Sequence, residues 1–401
     1  MSLLLDKIDV LVGNLSNLEK TRPTKPFSEE AIRFLEELSR EILIDKEAKL
    51  FSDVISFGFW CRKSNLLKLS EEYQNINNRI GLGIVFHITP TNVPVNFAFS
   101  YVFSILAGNS NIVRVPSKNF KQIDIICRII NSIFFQKKHK NIFEKTLFIR
   151  YPQDDEITAY LSSKCNARII WGGDFTVNSI RKIPLPSRSI DIGFSDRYSF
   201  SIINPMSIDG LSELNLNRLA ENFYNDTYLM DQNACSSPHL IVWKSPKNIN
   251  TEKHKERFWN AIRKLAEKKY DLQPVNAIDK FTLICKDGLL NNFTSTNFKS
   301  NYLYQVKIDK VPDRVTNLNG KFGYSYELDI ADIKEITKLV ETKIQTITYF
   351  GIPKNEILDF IIEEGLIGVD RIVPIGTALD IGIYWDGYDL IRTLSRNILV
   401  N

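Results

Sequence analysis

The spacing of hydrophobic positions changes near residue 80. Before that point apolar side chains recur every three or four residues, and Ser28 stands where a helix N-cap would, so residues 1–75 are predicted to be helical. After Ile80, short apolar runs alternate with longer amphipathic stretches. The predicted strands are GLGIVFHI (81–88), NIVRV (111–115), TLFIR (146–150) and ARIIW (167–171), and the predicted helices cover 95–107, 120–134 and 157–163. This alternation favours a parallel sheet covered on both faces.

A second α/β pattern begins near Pro205. Its predicted helices cover 211–228, 251–270, 330–343 and 355–364, and its predicted strands cover 239–243, 281–285, 302–308 and 345–350. Neither a repeat nor a long Gly/Ser linker separates the two patterns. We therefore expect a helical region at 1–75, a first α/β domain at 76–204 with 366–401 packed back on it, and a second α/β domain at 205–365.

Composition excludes several classes of protein. The chain has 401 residues, 44% hydrophobic and 24% charged, which is enough for a large core. Its net charge of +4 is too small and too evenly spread to indicate a nucleic-acid surface. The uncharged stretch 80–113 is broken by Pro, Asn and Gly, and its apolar part, 95–107, is too short to cross a bilayer.

Cysteine usage favours a reducing compartment. The five cysteines are an odd number without a CxxC pair and without a nearby histidine at metal-ligand spacing, so neither disulfides nor a metal site is indicated. Asp6 and Lys7 interrupt the position where an export signal would be apolar. The cytoplasm is the expected location.

The glycine fingerprint GxGxxG of dinucleotide-binding folds does not occur in the chain. The nearest equivalent is Gly172, Gly173 and Asp174, between a predicted strand and a predicted helix. Paired glycines there would let a phosphate approach the helix N-terminus. The same glycines also fit an ordinary strand-to-helix turn, and the pattern alone does not distinguish the two.

Arg114, Ser117 and Lys118 gather at the end of another predicted strand. In doubly wound folds, residues at this position bind the ribose of the cofactor. Cationic and hydroxyl groups there suit a ribose that carries a 2′-phosphate, which indicates NADP. An ordinary solvated loop is the alternative reading of these three residues.

Cys235 stands in a polar segment, a loop or a helix start, between a helical region and a strand. A thiol at a helix N-terminus would be a usable nucleophile, because the helix dipole stabilises its thiolate. Cys127 and Cys285 stand in apolar runs and are expected to be inert core residues. His239 is predicted to be a surface or strand-edge residue rather than the partner of Cys235, and His87 a hydrogen-bonded core residue.

Taken together and in order, these segments resemble the aldehyde dehydrogenase superfamily. GLGIVFHITPTNVPVNFAFSYVFSILAGNSNIVRVPSK is similar to its strand, Pro-x-Asn turn, helix and ribose-binding strand, and WGGDFTV to its cofactor-binding helix start. The resemblance places Asn92 on the catalytic asparagine, Arg114 on the ribose-binding lysine and Cys235 on the catalytic thiol. DQNACSSP, WGGD and RIVPIGTALD…WDG look most like the LuxC family of fatty-acyl reductases, over residues 75 to 396.

The resemblance implies a fold and a reaction. The fold is α/β and aldehyde dehydrogenase-like, with a Rossmann-type cofactor domain and a second α/β catalytic domain. The reaction is NADPH-dependent reduction of an acyl-CoA or acyl-protein thioester to an aldehyde through Cys235, with Asn92 in the oxyanion hole. Asp191 stands where the superfamily has a longer glutamate base, so hydrolysis of the acyl-enzyme is disfavoured. A homo-oligomer and an acyl-transferring partner protein are also implied.

Two other functions fit the same residues. One is an NADP-dependent semialdehyde or acyl-phosphate reductase, which would prefer short, charged acyl donors. The other is a non-catalytic partner of an acyl-transferring protein, for which Cys235 would be dispensable and the basic helix 251–270 would be the docking face.

Overall fold

A computed structural model describes residues 6–18, 22–73, 76–90, 93–289 and 293–400. The chain forms two compact units. The first comprises Met1–Ser195 and Ile383–Asn401, and the second comprises Asp196–Gly382.

The first unit is built around a sheet with helices between its strands. Its strands are β1 (Asp9–Gly13), β2 (Arg79–Gly81), β3 (Ile84–Ile88), β4 (Ser110–Arg114), β5 (Thr146–Arg150), β6 (Ala167–Trp171) and β7 (Ile190–Phe194). Its helices are α1 (Leu15–Leu18), α2 (Glu29–Ile44), α3 (Ser52–Trp60), α4 (Lys63–Glu71), α5 (Asn96–Leu106), α6 (Lys121–Phe135), α7 (Lys140–Glu144), α8 (Asp155–Ser162) and α9 (Asp174–Arg181). Short 3₁₀ turns lie at Ala48–Leu50 and Ile76–Asn78.

The strand order of this sheet contains a topological switch point. The order is β1-β5-β4-β3-β6-β7, with β1 antiparallel to β5 and the other neighbours parallel. Chain order therefore reverses between β3 and β6, and in open α/β sheets ligands bind outside the carboxyl ends of strands at such a point. The two strands end there at Ile88 and Trp171.

The N-terminal region is not wholly helical, so that prediction is wrong for Asp9–Gly13. Val10 and Val12 flank a bulge in β1, which pairs with β5, and Val12 is buried. The bulge between the two valines lets Val12 pack into the core while Val10 remains exposed. The helix cap was predicted correctly, because the Ser28 Oγ accepts a hydrogen bond of 3.4 Å from the Ala31 N–H at the start of α2.

The second unit contains a wider sheet. Its strands are β8 (Tyr198–Ile203), β9 (Pro238–Lys244), β10 (Ser295–Ser300), β11 (Leu303–Ile308), β12 (Tyr324–Ile330), β13 (Ile344–Phe350) and β14 (Arg371–Pro374). Its helices are α10 (Met206–Asp209), α11 (Glu213–Thr227), α12 (Glu252–Lys269), α13 (Pro274–Leu289) and α14 (Lys354–Glu363), with 3₁₀ turns at Tyr228–Met230, Val315–Asn317 and Ile333–Lys338. The strand order is β10-β11-β12-β9-β8-β13-β14, and only the β10–β11 pair is antiparallel.

Two elements of this unit differ from their predicted type. Residues 281–285, predicted as a strand, lie inside α13, whose buried residues Lys280, Ile284 and Asp287 follow helical spacing. The apolar run FTLIC is too short to distinguish a strand from a buried helical segment by pattern alone. Residues 330–343, predicted as a helix, contain only a short 3₁₀ segment.

The unit boundaries lie at other positions than those expected from the pattern. Strand β8 begins the second unit because it pairs with β9 and β13, so the boundary precedes Pro205. Residues 366–382 also belong to the second unit, since β14 pairs with β13. The chain returns to the first unit at Ile383, where β15 (Tyr384–Trp385), β16 (Tyr388–Asp389), α15 (Leu390–Thr393) and β17 (Ser395–Asn397) follow. Strand β17 pairs with β2.

Helix α5 is buried along its whole length, as its uncharged and mostly apolar sequence predicts. No helix within the described residues is both long enough and apolar enough to span a membrane.

Candidate active site

Cys235 lies in a turn of the second unit, between the 3₁₀ segment Tyr228–Met230 and strand β9. Its side chain is exposed, and the Ser237 N–H closes the turn on the Ala234 carbonyl at 2.9 Å. Strand β9, not a helix, begins at Pro238. The loop reading of this segment is therefore confirmed, and the helix-start reading is wrong. Because no helix begins at Cys235, the expected stabilisation of its thiolate by the dipole of a following helix does not apply.

The backbone of Cys235 is held by the amino ends of neighbouring strands. The Ser199 Oγ, on β8, donates to the Cys235 carbonyl oxygen at 2.7 Å and accepts from the Thr346 N–H of β13 at 3.2 Å. Ser199 and Thr346 are both completely buried. The backbone at Cys235 is thus tied to two buried strands while the side chain stays exposed.

Gln232 also anchors this loop, and its side chain is 1% exposed. Its Nε2 donates to the carbonyl oxygens of Pro238 and Tyr324, each at 3.2 Å. Its Oε1 accepts from the N–H groups of Gly323 and Tyr324, at 2.8 and 3.2 Å. One amide therefore joins the loop before Cys235 to the start of β9 and the start of β12.

The other cysteines occupy different environments. Cys61, Cys127 and Cys165 are buried, and burial raises the pKa of each thiol, to about 12 for Cys127 and Cys165. The expected inert core position is confirmed for Cys127. It is wrong for Cys285, which is exposed on α13. A high pKa keeps a thiol protonated and unreactive, so the exposed thiols of Cys235 and Cys285 are the reactive candidates.

His239 is buried on an interior strand of the sheet, not on the surface or at an edge as predicted. Its Nδ1 contacts the Gly320 carbonyl oxygen at 2.7 Å, and its ring stacks on Tyr198. Burial lowers the pKa of His239 to about 4, so the ring is neutral at physiological pH. Since a carbonyl oxygen only accepts, Nδ1 carries the proton.

Two of the predicted cofactor residues of the first unit meet at the carbonyl oxygen of Tyr151. The Arg114 Nη2 and the Ser117 Oγ donate to it at 3.4 and 3.3 Å. The Arg114 guanidinium also lies 4.5 Å from the centroid of the Tyr151 ring. The Arg114 Nε is buried without a hydrogen-bond partner among the described residues. The Lys118 Nζ lies 5.1 Å from the centroid of the Phe120 ring.

Gly172 and Gly173 form the turn from β6 into α9. The Gly172 N–H donates to the Phe194 carbonyl at 3.1 Å, and Gly173 is the N-cap residue of α9. A Cβ at Gly172 would lie 3.1 Å from the Thr176 Cβ, so the turn is tight. Asp174 opens the helix, where a carboxylate interacts favourably with the helix dipole.

A buried hydrogen-bond chain fixes the strand end before this turn. The Trp171 Nε1–H donates to the Ser100 Oγ at 3.0 Å, and Ser100 contacts the His87 Nδ1 at 2.7 Å. The His87 Nε2 contacts the Asn111 Oδ1 at 3.1 Å. Because that amide oxygen only accepts, Nε2 carries the proton and Ser100 donates to Nδ1. Burial lowers the pKa of His87 to about 4, and its predicted core role is confirmed.

Asp191, on β7, is bound to a buried arginine. The Arg168 Nη2 and Nε donate to its two carboxylate oxygens at 2.6 and 3.3 Å. Arg168 is itself completely buried and also donates to the Ser162 Oγ and the Ile183 carbonyl oxygen. Asn92, the predicted oxyanion donor, lies outside the described residues.

Comparison with models of protein families shows which family the chain belongs to. The model of the acyl-CoA reductase (LuxC) family matches residues 62–397. The chain belongs to the LuxC family of acyl-CoA reductases. It is therefore an oxidoreductase that acts on an acyl or aldehyde group. No curated protein matches the sequence at a significant level.

Solved structures show that this LuxC-family chain has the aldehyde dehydrogenase fold. A point mutant of 1-pyrroline-5-carboxylate dehydrogenase from Thermus thermophilus aligns with a TM-score of 0.61 and 13% identity, covering 96% of this chain and 83% of that chain. Aldehyde dehydrogenase 21 from Physcomitrella patens, in complex with the reaction product succinate, gives 0.55 and 16%, covering 88% and 77%. The glyceraldehyde-3-phosphate dehydrogenase GapN of Methanocaldococcus jannaschii, complexed with NADP, gives 0.58 and 14%, covering 92% and 88%. The expected fold class is confirmed.

Sequence reasoning missed several residues that organise the sites of this LuxC-family protein. Gln232 belongs to the DQNAC segment, but the pattern did not distinguish it from other polar loop residues. Tyr151 and Arg168 gave no signal, because their partners Arg114 and Asp191 are distant in sequence. A buried amide that holds the loop of an exposed cysteine is recognisable only when its backbone partners are known.

Proposed function

We propose that this LuxC-family chain reduces an activated fatty acyl group to an aldehyde, using NADPH and a thioester intermediate on Cys235. The observation that carries the proposal is the exposed Cys235 thiol on a loop with a fixed backbone. A nucleophile gains most from a fixed position, because the attack then needs little further ordering. Membership in an acyl-CoA reductase family supports the same chemistry.

The first step is transfer of the acyl group. The Cys235 Sγ attacks the thioester carbonyl of an acyl-CoA or an acyl-protein, the carbon–sulfur bond to the donor breaks, and the donor leaves as a thiol with the proton from Cys235. The carbonyl oxygen carries negative charge during the attack. Asn92 and the backbone N–H of Cys235 are proposed to stabilise it, and the loss of one such donor commonly lowers the rate by about 10²- to 10³-fold.

The cofactor residues of the first unit fit a nicotinamide cofactor with a 2′-phosphate. Arg114 supports this fit, because its buried Nε has no hydrogen-bond partner among the described residues while the Tyr151 ring and carbonyl hold the rest of the guanidinium. A guanidinium is well suited to a phosphate. Ser117 and Lys118 are proposed to assist at the adenosine end, and Gly172, Gly173 and Asp174 to contact the cofactor at the start of α9. NADPH, when bound, supplies the hydride.

In the second step, hydride reaches the acyl carbon and Cys235 becomes the leaving group. The resulting hemithioacetal takes up one proton overall and breaks its carbon–sulfur bond, which releases the aldehyde and restores the thiol. The thioester must meanwhile be kept from water, since hydrolysis would yield the acid instead.

Asp191 is proposed to neutralise Arg168 rather than act as a base. Both of its oxygens accept from that guanidinium, so neither is directed toward a water molecule by a separate contact. Losing the superfamily's general base in this way favours reduction over hydrolysis of the thioester.

Intact-protein mass spectrometry tests the proposal. The wild type is mixed with medium- and long-chain acyl-CoA without cofactor, beside C235A and beside C285A, which removes the other exposed thiol. A mass gain equal to the acyl group, absent in C235A, retained in C285A and lost on addition of NADPH, is expected. A mass gain that is retained in C235A would show that Cys235 is not the nucleophile. The absence of any gain with thioesters, together with a gain from an acyl phosphate, would favour the acyl-phosphate reductase.

A further inference from the structure

Gln232 occupies a backbone conformation that needs support. Asp231 and Gln232 have φ of +54° and +56°, two consecutive non-glycine residues in the left-handed region. Residues in this conformation are strained and persist only where the surroundings hold them. The Gln232 side chain is buried beneath the loop that carries Cys235.

The amide of Gln232 closes that loop on itself. Pro238, which accepts from its Nε2, follows Cys235 by three residues, and Gln232 precedes Cys235 by three. The same amide exchanges hydrogen bonds with the backbone of Tyr324 and accepts one from Gly323. Both its donor and its acceptor are required, which distinguishes glutamine from glutamate or methionine of similar size.

The segment that receives these bonds is itself fixed. Gly323 has φ of +82°, and a Cβ there would lie 2.5 Å from the Tyr302 carbonyl oxygen. The Lys280 Nζ donates to the neighbouring Phe322 carbonyl oxygen at 2.8 Å. The Phe322 N–H donates to the Asp231 carbonyl oxygen at 3.3 Å, so the two segments are joined beside the amide as well.

We propose that Gln232 is a positioning residue that sets the place of the Cys235 thiol for attack on the acyl donor. This inference rests on the proposed function of Cys235. Gln232 does not touch the reacting atoms, and it acts through the backbone of the loop. A displacement of about 1 Å in a reacting group can lower a rate by about 100-fold, so loss of the amide lowers acyl transfer far more than the intrinsic reactivity of the thiol.

The test compares two reactions at the same sulfur. In Q232M, which removes all four hydrogen bonds, we measure the rate constant for acylation of Cys235 by acyl-CoA and that for its alkylation by iodoacetamide, the latter referred to Cys285 in the same molecule. The ratio of acylation to alkylation is expected to fall by about 100-fold. Q136M, the same change at an exposed glutamine of the first unit, is expected to leave it unchanged.

Each outcome has a definite meaning. If Q232M has a lower melting temperature but the wild-type ratio, Gln232 only stabilises the fold and the inference is overturned. If Q232M does not fold, Q232E serves instead, since it keeps the acceptor and loses the donor, and the same ratio decides. If the wild type itself takes no acyl group at Cys235, the proposed function has failed, which is a different result from an unchanged ratio in the variants.

Discussion

The Arg114 guanidinium lies on the ring of Tyr151, with its Cζ 4.5 Å from the ring centroid, and donates to the carbonyl oxygen of the same residue. Tyr151 is 2% exposed, and its hydroxyl contacts the Thr158 Oγ1 at 3.1 Å. Both the ring and the carbonyl are therefore fixed before any ligand arrives. An arginine held in this way loses little side-chain entropy when it binds an anion.

Arg114 is expected to select the phosphorylated cofactor. In R114A the KM for NADPH should rise by about 10- to 100-fold, the range for losing a hydrogen bond to a charged group, while the KM for NADH changes much less. Steady-state kinetics with both cofactors measure this difference. An equal rise for both would show that Arg114 does not read the 2′-phosphate.

Tyr151 should contribute to the preference for a 2′-phosphorylated nucleotide, because it holds the guanidinium of Arg114 in place. Y151L keeps an apolar side chain but removes the ring beneath the guanidinium, so binding of 2′,5′-ADP should weaken while binding of 5′-AMP stays the same. Isothermal titration with the two nucleotides gives the comparison, and Y151F is the matched control that retains the ring. Equal weakening toward both nucleotides would contradict this role.

The ion pair of Arg168 and Asp191 is expected to contribute to stability. D191A leaves the guanidinium of the completely buried Arg168 without its carboxylate. Breaking a buried pair costs about 3 to 5 kcal/mol, and because the Asp191 side chain is 22% exposed we expect a loss of about 3 kcal/mol. Urea unfolding should show a loss of this size, whereas D279A, at an exposed carboxylate, should have little effect. If D191A unfolds at the wild-type urea concentration, the pair has no such role.

The two buried histidines should make the protein less stable in acid. Burial lowers the pKa of both His87 and His239 from 6.5 to about 4. The unfolded chain then binds more protons than the folded chain between these values, so their contribution is complete above pH 6.5 and is lost as the pH falls toward 4.

Melting temperatures across this pH range measure the effect. H87Q can keep an acceptor toward Ser100 and a donor toward Asn111 but does not titrate, so its melting temperature should depend less on pH than that of the wild type. If the melting temperature depends on pH equally in the wild type and in H87Q, His87 has the same pKa in the folded and unfolded states.

Thiol accessibility should separate the cysteines into two classes. Cys61, Cys127 and Cys165 are buried, whereas Cys235 and Cys285 are exposed. A disulfide reagent such as DTNB should therefore react rapidly with two thiols of the native protein and with five after denaturation. C235A and C285A should each reduce the number of rapidly reacting thiols by one. A wild type with a single rapid thiol would contradict the exposure of one of them.

Local pattern was sufficient where an element is buried on both faces. The strands Thr146–Arg150 and Ala167–Trp171 coincide with their predicted bounds, because a short and mostly apolar run between polar residues favours a buried strand even where Arg168 interrupts it. The same criterion was wrong for 281–285. A short apolar segment of a helix has the same local sequence pattern as a short buried strand. Only the packing of the segment against the sheet distinguishes the helix from the strand.

The sequence by itself determined the α/β class, most of the helices and strands, and the family, because buried periodicity and ordered motifs are local properties of the chain. Tertiary structure decided which thiols are exposed, which carbonyl Arg114 and Ser117 share, and that Asp191 is bound to Arg168. It also decided that the Gln232 amide joins the segment of Cys235 to Gly323 and Tyr324. The physical reason is that burial and hydrogen-bond partners depend on residues brought together from distant parts of the chain, which no local pattern encodes.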